Sequence, residues 1–213
     1  MLFLRKLLGI IVILLGSVSL SLGQFSITSP LNRAVYQRNN AGVATITVSG
    51  TYEQQVDRIE ARLIAVNAGQ GNPGEWSEWK TLKDFPTNGG FSSTMTINQG
   101  WYRIEIRGVL NNNVVGNIAS VDRFGIGEVF IIAGQSNAEG LFNMRQQGAQ
   151  DDRVNTFGNP NDQTNGGTSY ATLSPFTQLS SETYIAPRGK GSYCWGQLGD
   201  LLAAKLNVPI LFL

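Results

Sequence analysis

Between Phe25 and Gly125 no stretch sustains a helical period; short β-branched runs alternate with turn clusters. Residues 43–49 are rich in Val, Ile and Thr, residues 59–66 alternate in part, and residues 91–97 follow the Asn88-Gly89-Gly90 turn signal. In residues 101–107, Arg103, Glu105 and Arg107 fall on one face and Tyr102, Ile104 and Ile106 on the other, the period of two that marks a half-buried strand. Asn39-Asn40, residues 69–74 and residues 111–113 punctuate these runs with Gly, Asn and Pro. Several short strands at this spacing predict an all-β sandwich or barrel.

The pattern is that of an Ig-like or fibronectin type III-like module over residues 24–125. Trp76 and Trp79 lie three apart, so a regular strand would send them to opposite faces. One tryptophan is then expected in the core and the other against the neighbouring domain; an exposed pair able to stack on sugar rings is the alternative. Trp76-Ser-Glu-Trp79 also approaches the tryptophan-serine repeat of cytokine receptor modules, but Lys80 replaces the final serine and its place in the domain differs.

Composition excludes several functions. The 213 residues hold 16 Lys+Arg against 15 Asp+Glu, a balance that gives no electrostatic reason for nucleic acid or an anionic membrane as partner. One cysteine, Cys194, excludes an intrachain disulfide and a multi-cysteine zinc site. No histidine is present, so these residues alone hold no Ser-His-Asp triad, Cys-His dyad or His-ligated metal. No metal and no organic cofactor is expected.

Residues 1–23 have the layout of a secretory signal peptide: Arg5-Lys6, an apolar run over residues 7–15, and Ser21-Leu22-Gly23 as a small-x-small cleavage site. Gly16, Ser17, Ser19 and Ser21 interrupt the apolar stretch before the ~20 residues a membrane span needs. The expectation is export, cleavage near Gly23 and a secreted, periplasmic or cell-surface protein that meets the membrane only in transit. An uncleaved anchor is the alternative.

At residue 128 the pattern changes. Glu128-Val-Phe-Ile-Ile-Ala133 is a continuous apolar run, as in a strand buried on both faces of a parallel sheet. Gly134-Gln135-Ser136-Asn137 follows at once, placing a serine hydroxyl where open α/β folds bind ligands. A serine opening a helix also stands among unpaired N–H groups able to hold an oxyanion. The simpler reading of Ser136 is an N-cap that only starts a helix.

Val129-Phe-Ile-Ile-Ala-Gly-Gln-Ser-Asn137 resembles the first sequence block of the SGNH hydrolases, in the Gly-Gln-Ser-Asn form of sialate O-acetylesterases and related carbohydrate esterases. The resemblance spans residues 129–213, with Ala138 where members often have Met, and a leader plus an upstream β-sandwich fits bacterial members. It implies that Ser136 is the nucleophile and that its backbone N–H contributes to the oxyanion hole. Gln135 and Asn137 would support the loop or the oxyanion site. The family's base is a histidine in a distant Asp-x-x-His block, which this sequence lacks, as it lacks assignable further oxyanion donors. A Ser-Lys dyad through Lys190 or Lys205 has no spacing to support it.

Residues 152–157 are read as the next strand, residues 191–206 as a helix and residues 208–213 as another parallel strand. Trp195, Leu198, Leu201, Leu202 and Leu206 recur at helical spacing in that helix, and Asn207 with Pro209 ends it. This order opens a flavodoxin-like three-layer α/β domain over residues 126–213. A few parallel strands with one helix leave a face uncovered, so the domain is expected to be truncated. The polar stretch 143–191 is read as cleft-lining loops, with Tyr170, Phe176 or Tyr184 facing a sugar, or as a mobile insert. Residues 187–191 offer a weak anion site before the helix, and Cys194 is taken as a buried packing cysteine.

The function expected is a secreted serine esterase that removes O-acetyl groups from carbohydrates such as sialic acids or plant polysaccharides. The alternative is an inactive secreted carbohydrate-binding or cell-surface interaction protein that uses the sandwich, and a plain spacer module is the third possibility.

Overall fold

The computed structural model describes residues 24–140, 147–158, 176–181, 183–185, 189 and 191–213. Residues 1–23, read above as a signal peptide, lie outside the described residues, as do Tyr170, Pro187, Arg188 and Lys190. In chain order the strands are β1 (Phe25–Ser29), β2 (Val35–Gln37), β3 (Val43–Tyr52), β4 (Arg58–Ala65), β5 (Lys80–Asp84), β6 (Gly90–Asn98), β7 (Gly100–Leu110), β8 (Asn113–Phe130), β9 (Val154–Phe157), β10 (Phe176–Gln178) and β11 (Ile210–Phe212). The helices are α1 (Ser136–Glu139) and α2 (Trp195–Leu206). No described helix is long and apolar enough to cross a membrane.

The chain is mostly β, arranged in two sheets. β1, β3 and β6 form a three-stranded antiparallel sheet. It faces the β5-β4-β7-β8 part of an eight-stranded sheet. Alternation decides what lies between them: Ile46, Val48, Met95 and Ile97 point in from one sheet, and Ile59, Leu63, Ile104, Ile106 and Phe124 from the other. Thr45 and Thr96, opposite each other in register, turn outward and share a 2.8 Å hydrogen bond.

The other face of β4 and β7 is ionic. Glu60 takes Arg58 and Arg107, while Glu105 takes Arg62 and Arg103. Burial pushes the Glu60 carboxyl up, but the two guanidiniums outweigh it and leave its pKa below the ordinary value. Trp79 lies over this lattice, with Arg62 at 4.7 Å and Arg107 at 4.2 Å from its ring centroid. The tryptophan expectation needs correction. Trp76 sits in a 3-10 turn at Gly74–Ser77 rather than a strand, and packs against the sandwich core. Trp79, just before β5, stacks with Arg62 of β4 and Arg107 of β7.

β8 is one strand of 18 residues that runs through residues 125 and 126. As far as Ile126 it pairs antiparallel with β7, and from Glu128 it pairs parallel with β11. β2 pairs parallel with β8 at residues 125–127, and there its bonds and those of β11 fall on alternate residues: Arg38 N–H donates to the Gly127 carbonyl and Glu128 N–H to the Pro209 carbonyl. Gly125 and Gly127 permit the exchange: a Cβ on Gly127 would stand 2.0 Å from the Pro209 carbonyl oxygen. The parallel strands therefore extend the sandwich sheet, in the order β10-β9-β11-β8-β7-β4-β5, with β10 antiparallel at the edge.

α2 covers one face of β9 and β11, joining Ala203, Trp195, Leu202 and Leu206 to Val154, Val208 and Phe212. It begins at Trp195, later than residue 191, because Gly191 (φ 108°) and Tyr193 (φ 41°) lie outside helical space. Asn207, left-handed at φ 52°, ends it. Of the five residues at helical spacing, Leu201 faces out and is 70% exposed. Cys194 is exposed just before the helix, which corrects its expected burial. Phe176 lies in β10 with its ring edge-on to Phe157 (5.0 Å), not in a loop.

A buried joint ties the two parts together. Trp101 packs with Val35 and Leu211, and its indole N–H donates to Asp152 (3.2 Å). Asp152 also receives Arg33 from the loop before β2 and Arg123 from β8 (2.7 Å). Burial raises the Asp152 pKa, yet Arg123, Arg33 and Trp101 together hold it below the ordinary carboxylate value.

Candidate functional site

Beyond β8 the ladder to β11 continues: Leu213 N–H donates to the Phe130 carbonyl (2.9 Å) and Ile132 N–H to the Leu213 carbonyl (2.7 Å). The chain then leaves the sheet at Ala133-Gly134 and turns into α1, a single turn. Gln135 caps it through its carbonyl, which accepts the N–H groups of Ala138 (2.9 Å) and Glu139 (3.0 Å). Gly134 has a packing reason, since a Cβ there would stand 3.0 Å from the Ala138 Cβ. Ser136 is therefore the first helical residue, exposed, at the carboxyl end of a parallel strand pair. The N–H groups of Ser136 and Asn137 are those a helix start leaves without an intrahelical acceptor.

Two openings flank the serine. One of about 440 Å³ is lined by Ser136, Gln135, Glu139, Ile185, Gly189 and Leu213, among others. The other, about 610 Å³, has an apolar wall of Phe130, Ile132, Trp195, Leu198, Leu202 and Phe212, with Gln135 and Asn137 at its rim. The Trp195 indole N–H is buried there without a hydrogen-bond partner among the described residues.

The three residues singled out from sequence thus lie together by adjacency, Ser136 at the smaller opening, Asn137 at the larger and Gln135 at both. Lys205 lies in the last turn of α2, the end of the helix away from Trp195, and lines neither opening. The wall from α2 carries no functional mark in the sequence; its one signal is the helical spacing of Trp195, Leu198 and Leu202, which reads equally well as core. No cluster of three His, Cys, Asp or Glu side chains placed to hold a metal occurs among the described residues.

No protein-family model matches the chain, and no curated protein matches it significantly.

Proposed function

We propose that the chain belongs to a secreted serine esterase of the SGNH type, with Ser136 as nucleophile and O-acetyl groups of carbohydrates as substrate. The observation that carries this reading is the exposed Ser136 opening α1 directly beyond the parallel β8–β11 pair, at the mouth of a cavity. In this reading the sandwich is Ig-like or fibronectin type III-like, and β8, β11 and β9 with α2 open a flavodoxin-like α/β domain.

A serine hydroxyl attacks an ester only if a base takes its proton and donors hold the resulting oxyanion. Ser136 Oγ would attack the acetyl carbonyl carbon while the carbonyl oxygen becomes an oxyanion near the first N–H groups of α1. The oxyanion collapses, the sugar hydroxyl leaves with the proton, and water then releases acetate and restores the serine. The sequence holds no histidine, so this reading takes the base to be a histidine outside these 213 residues.

The test is to read the source DNA in frame past codon 213 and to assay what it encodes. The expected result is an Asp-x-x-His block, and acetate release from acetylated xylan or O-acetyl sialic acid that falls at least ~10³-fold in Ser136→Ala. The 213 residues alone should hydrolyse 4-nitrophenyl acetate barely above background. A robust rate from them, abolished by Ser136→Ala, would overturn the histidine-dependent account. A stop codon after Leu213 would give the lead to a carbohydrate-binding function.

A further inference from the structure

At the amino end of the parallel β8–β11 pair, the end away from Ser136, a cleft of about 790 Å³ opens. Its walls are the turn after β2, the loop after β4, the turn between β6 and β7, Glu128 on β8 and Asn207 after α2. Apart from glycines and Ala41, every residue lining it carries an amide or a charge. The two charged ones, Arg38 and Glu128, pair at 2.8 Å and cancel.

Five of the amides are anchored at one end. Asn39 Oδ1 accepts the N–H groups of Ala41 (2.9 Å) and Val43 (3.2 Å), and Asn72 Oδ1 accepts that of Gly74 (3.0 Å). Gln70 Oε1 accepts from Asn67 (3.1 Å), Gln99 Oε1 accepts from Arg38, and Asn98 Nδ2 donates to the Asn72 carbonyl (3.1 Å). Each bond fixes a side chain and leaves its other end for a ligand: four NH₂ groups and one carbonyl oxygen. The walls are tied to each other as well. The buried Tyr102 hydroxyl accepts the Asn72 N–H (3.0 Å) and lies 3.0 Å from the Asn98 carbonyl, joining two of the walls. Burial above all pushes this phenol up to about 12, so it keeps its proton at ordinary pH.

Such a lining selects its ligand by exclusion. With its charges paired it offers a phosphate chain only neutral amide donors and no free cation, the weaker kind of phosphate contact. With no aromatic or long aliphatic side chain it offers nothing to a lipid or an apolar peptide anchor. A ligand covered with hydroxyl groups, each both donor and acceptor, satisfies amide ends of either kind without leaving polar groups unpaired. We propose that this cleft binds a carbohydrate chain through its hydroxyl groups, independently of any chemistry at Ser136.

The test is native affinity electrophoresis of the full chain in gels containing xylan, galactomannan, hydroxyethyl-cellulose or polysialic acid. At least one should retard the protein. Asn40→Ala/Gln70→Ala should weaken that retention at least about tenfold, the scale of losing two hydrogen bonds. Gln70→Glu, which keeps the side chain's length and its bond from Asn67 while removing the donor, should weaken it too. Ser136→Ala should retain it in full, so failure here is distinct from failure of the esterase reading. No retardation by any of the four, unchanged retention in both Gln70 variants, or loss in Ser136→Ala would overturn the proposal.

Discussion

Ile104 on β7 is wholly buried between two sheets, whereas Ile131, just past the end of β8, is 79% exposed although both come from apolar stretches of the same eight-stranded sheet. In the sandwich the second sheet supplies the missing face. Around β9, β11 and the end of β8, α2 covers one face, and the openings beside Ser136 lie along apolar side chains. A parallel sheet needs cover on both faces, an antiparallel one on a single face. The comparison teaches that the sandwich is finished by its own residues, while the serine-bearing part gains its order from the sandwich sheet it continues.

If that is so, the joint is where substitution costs most. Trp101→Ala should destabilise the protein by about 3–5 kcal/mol, as for other buried large-to-small changes. Urea unfolding followed by far-UV circular dichroism would measure it, and a loss under 1 kcal/mol would mean that the two parts do not lean on each other. Asp152→Ala should cost about 2–3 kcal/mol, because it leaves Arg33 without its carboxylate in a partly buried site.

The same carboxylate gives a pH signature. Its folded pKa lies below the ordinary value, so its contribution is complete above the unfolded pKa and is lost as pH falls through the folded one. Asp152→Asn should therefore flatten the loss of stability below about pH 4, read as the midpoint of thermal unfolding against pH. An unchanged profile would remove Asp152 from the joint.

Gly127→Ala should cost about 1–3 kcal/mol through overpacking against Pro209, with near-normal far-UV signal but weaker protection from proteolysis after residue 147. Smallest of all, Leu201→Gln should change stability by no more than about 0.5 kcal/mol, since that side chain is 70% exposed. A larger loss would show that this face of α2 is covered in solution.

The sandwich strands were legible because each half-buried strand carries its own period of two, and residues 102, 104 and 106 needed no distant partner to reveal their inward face. β11 was legible as a short apolar run, β9 by its place in the strand order, and the end of α2 from Asn207 and Pro209. What escaped was set by tertiary contact. The reach of β8 depends on β11 taking over where β7 stops, and nothing in residues 113–127 announces that exchange except glycines that also suit a turn. The start of α2 is moved by the positive φ of Tyr193, a residue with no intrinsic preference for it. Trp79 is placed by Arg62 and Arg107, far apart in sequence, and Cys194 faces solvent because the helix begins one residue after it. At the serine, adjacency made Gln135, Ser136 and Asn137 readable together, whereas the wall from α2 is brought there by the fold.

The 18-residue β8 also has a mechanical meaning. At roughly 3.3 Å per residue its contour is about 60 Å; bulges bend it within the sandwich, and it is held by β7 along one stretch and by β11 along the next. A chain with a loop at residues 125–126 would bend there under load; this one transmits torque. Whatever grips the sandwich sets the attitude of the Ser136 end directly, so the pair turns as a wrench and its head rather than as two bodies on a tether.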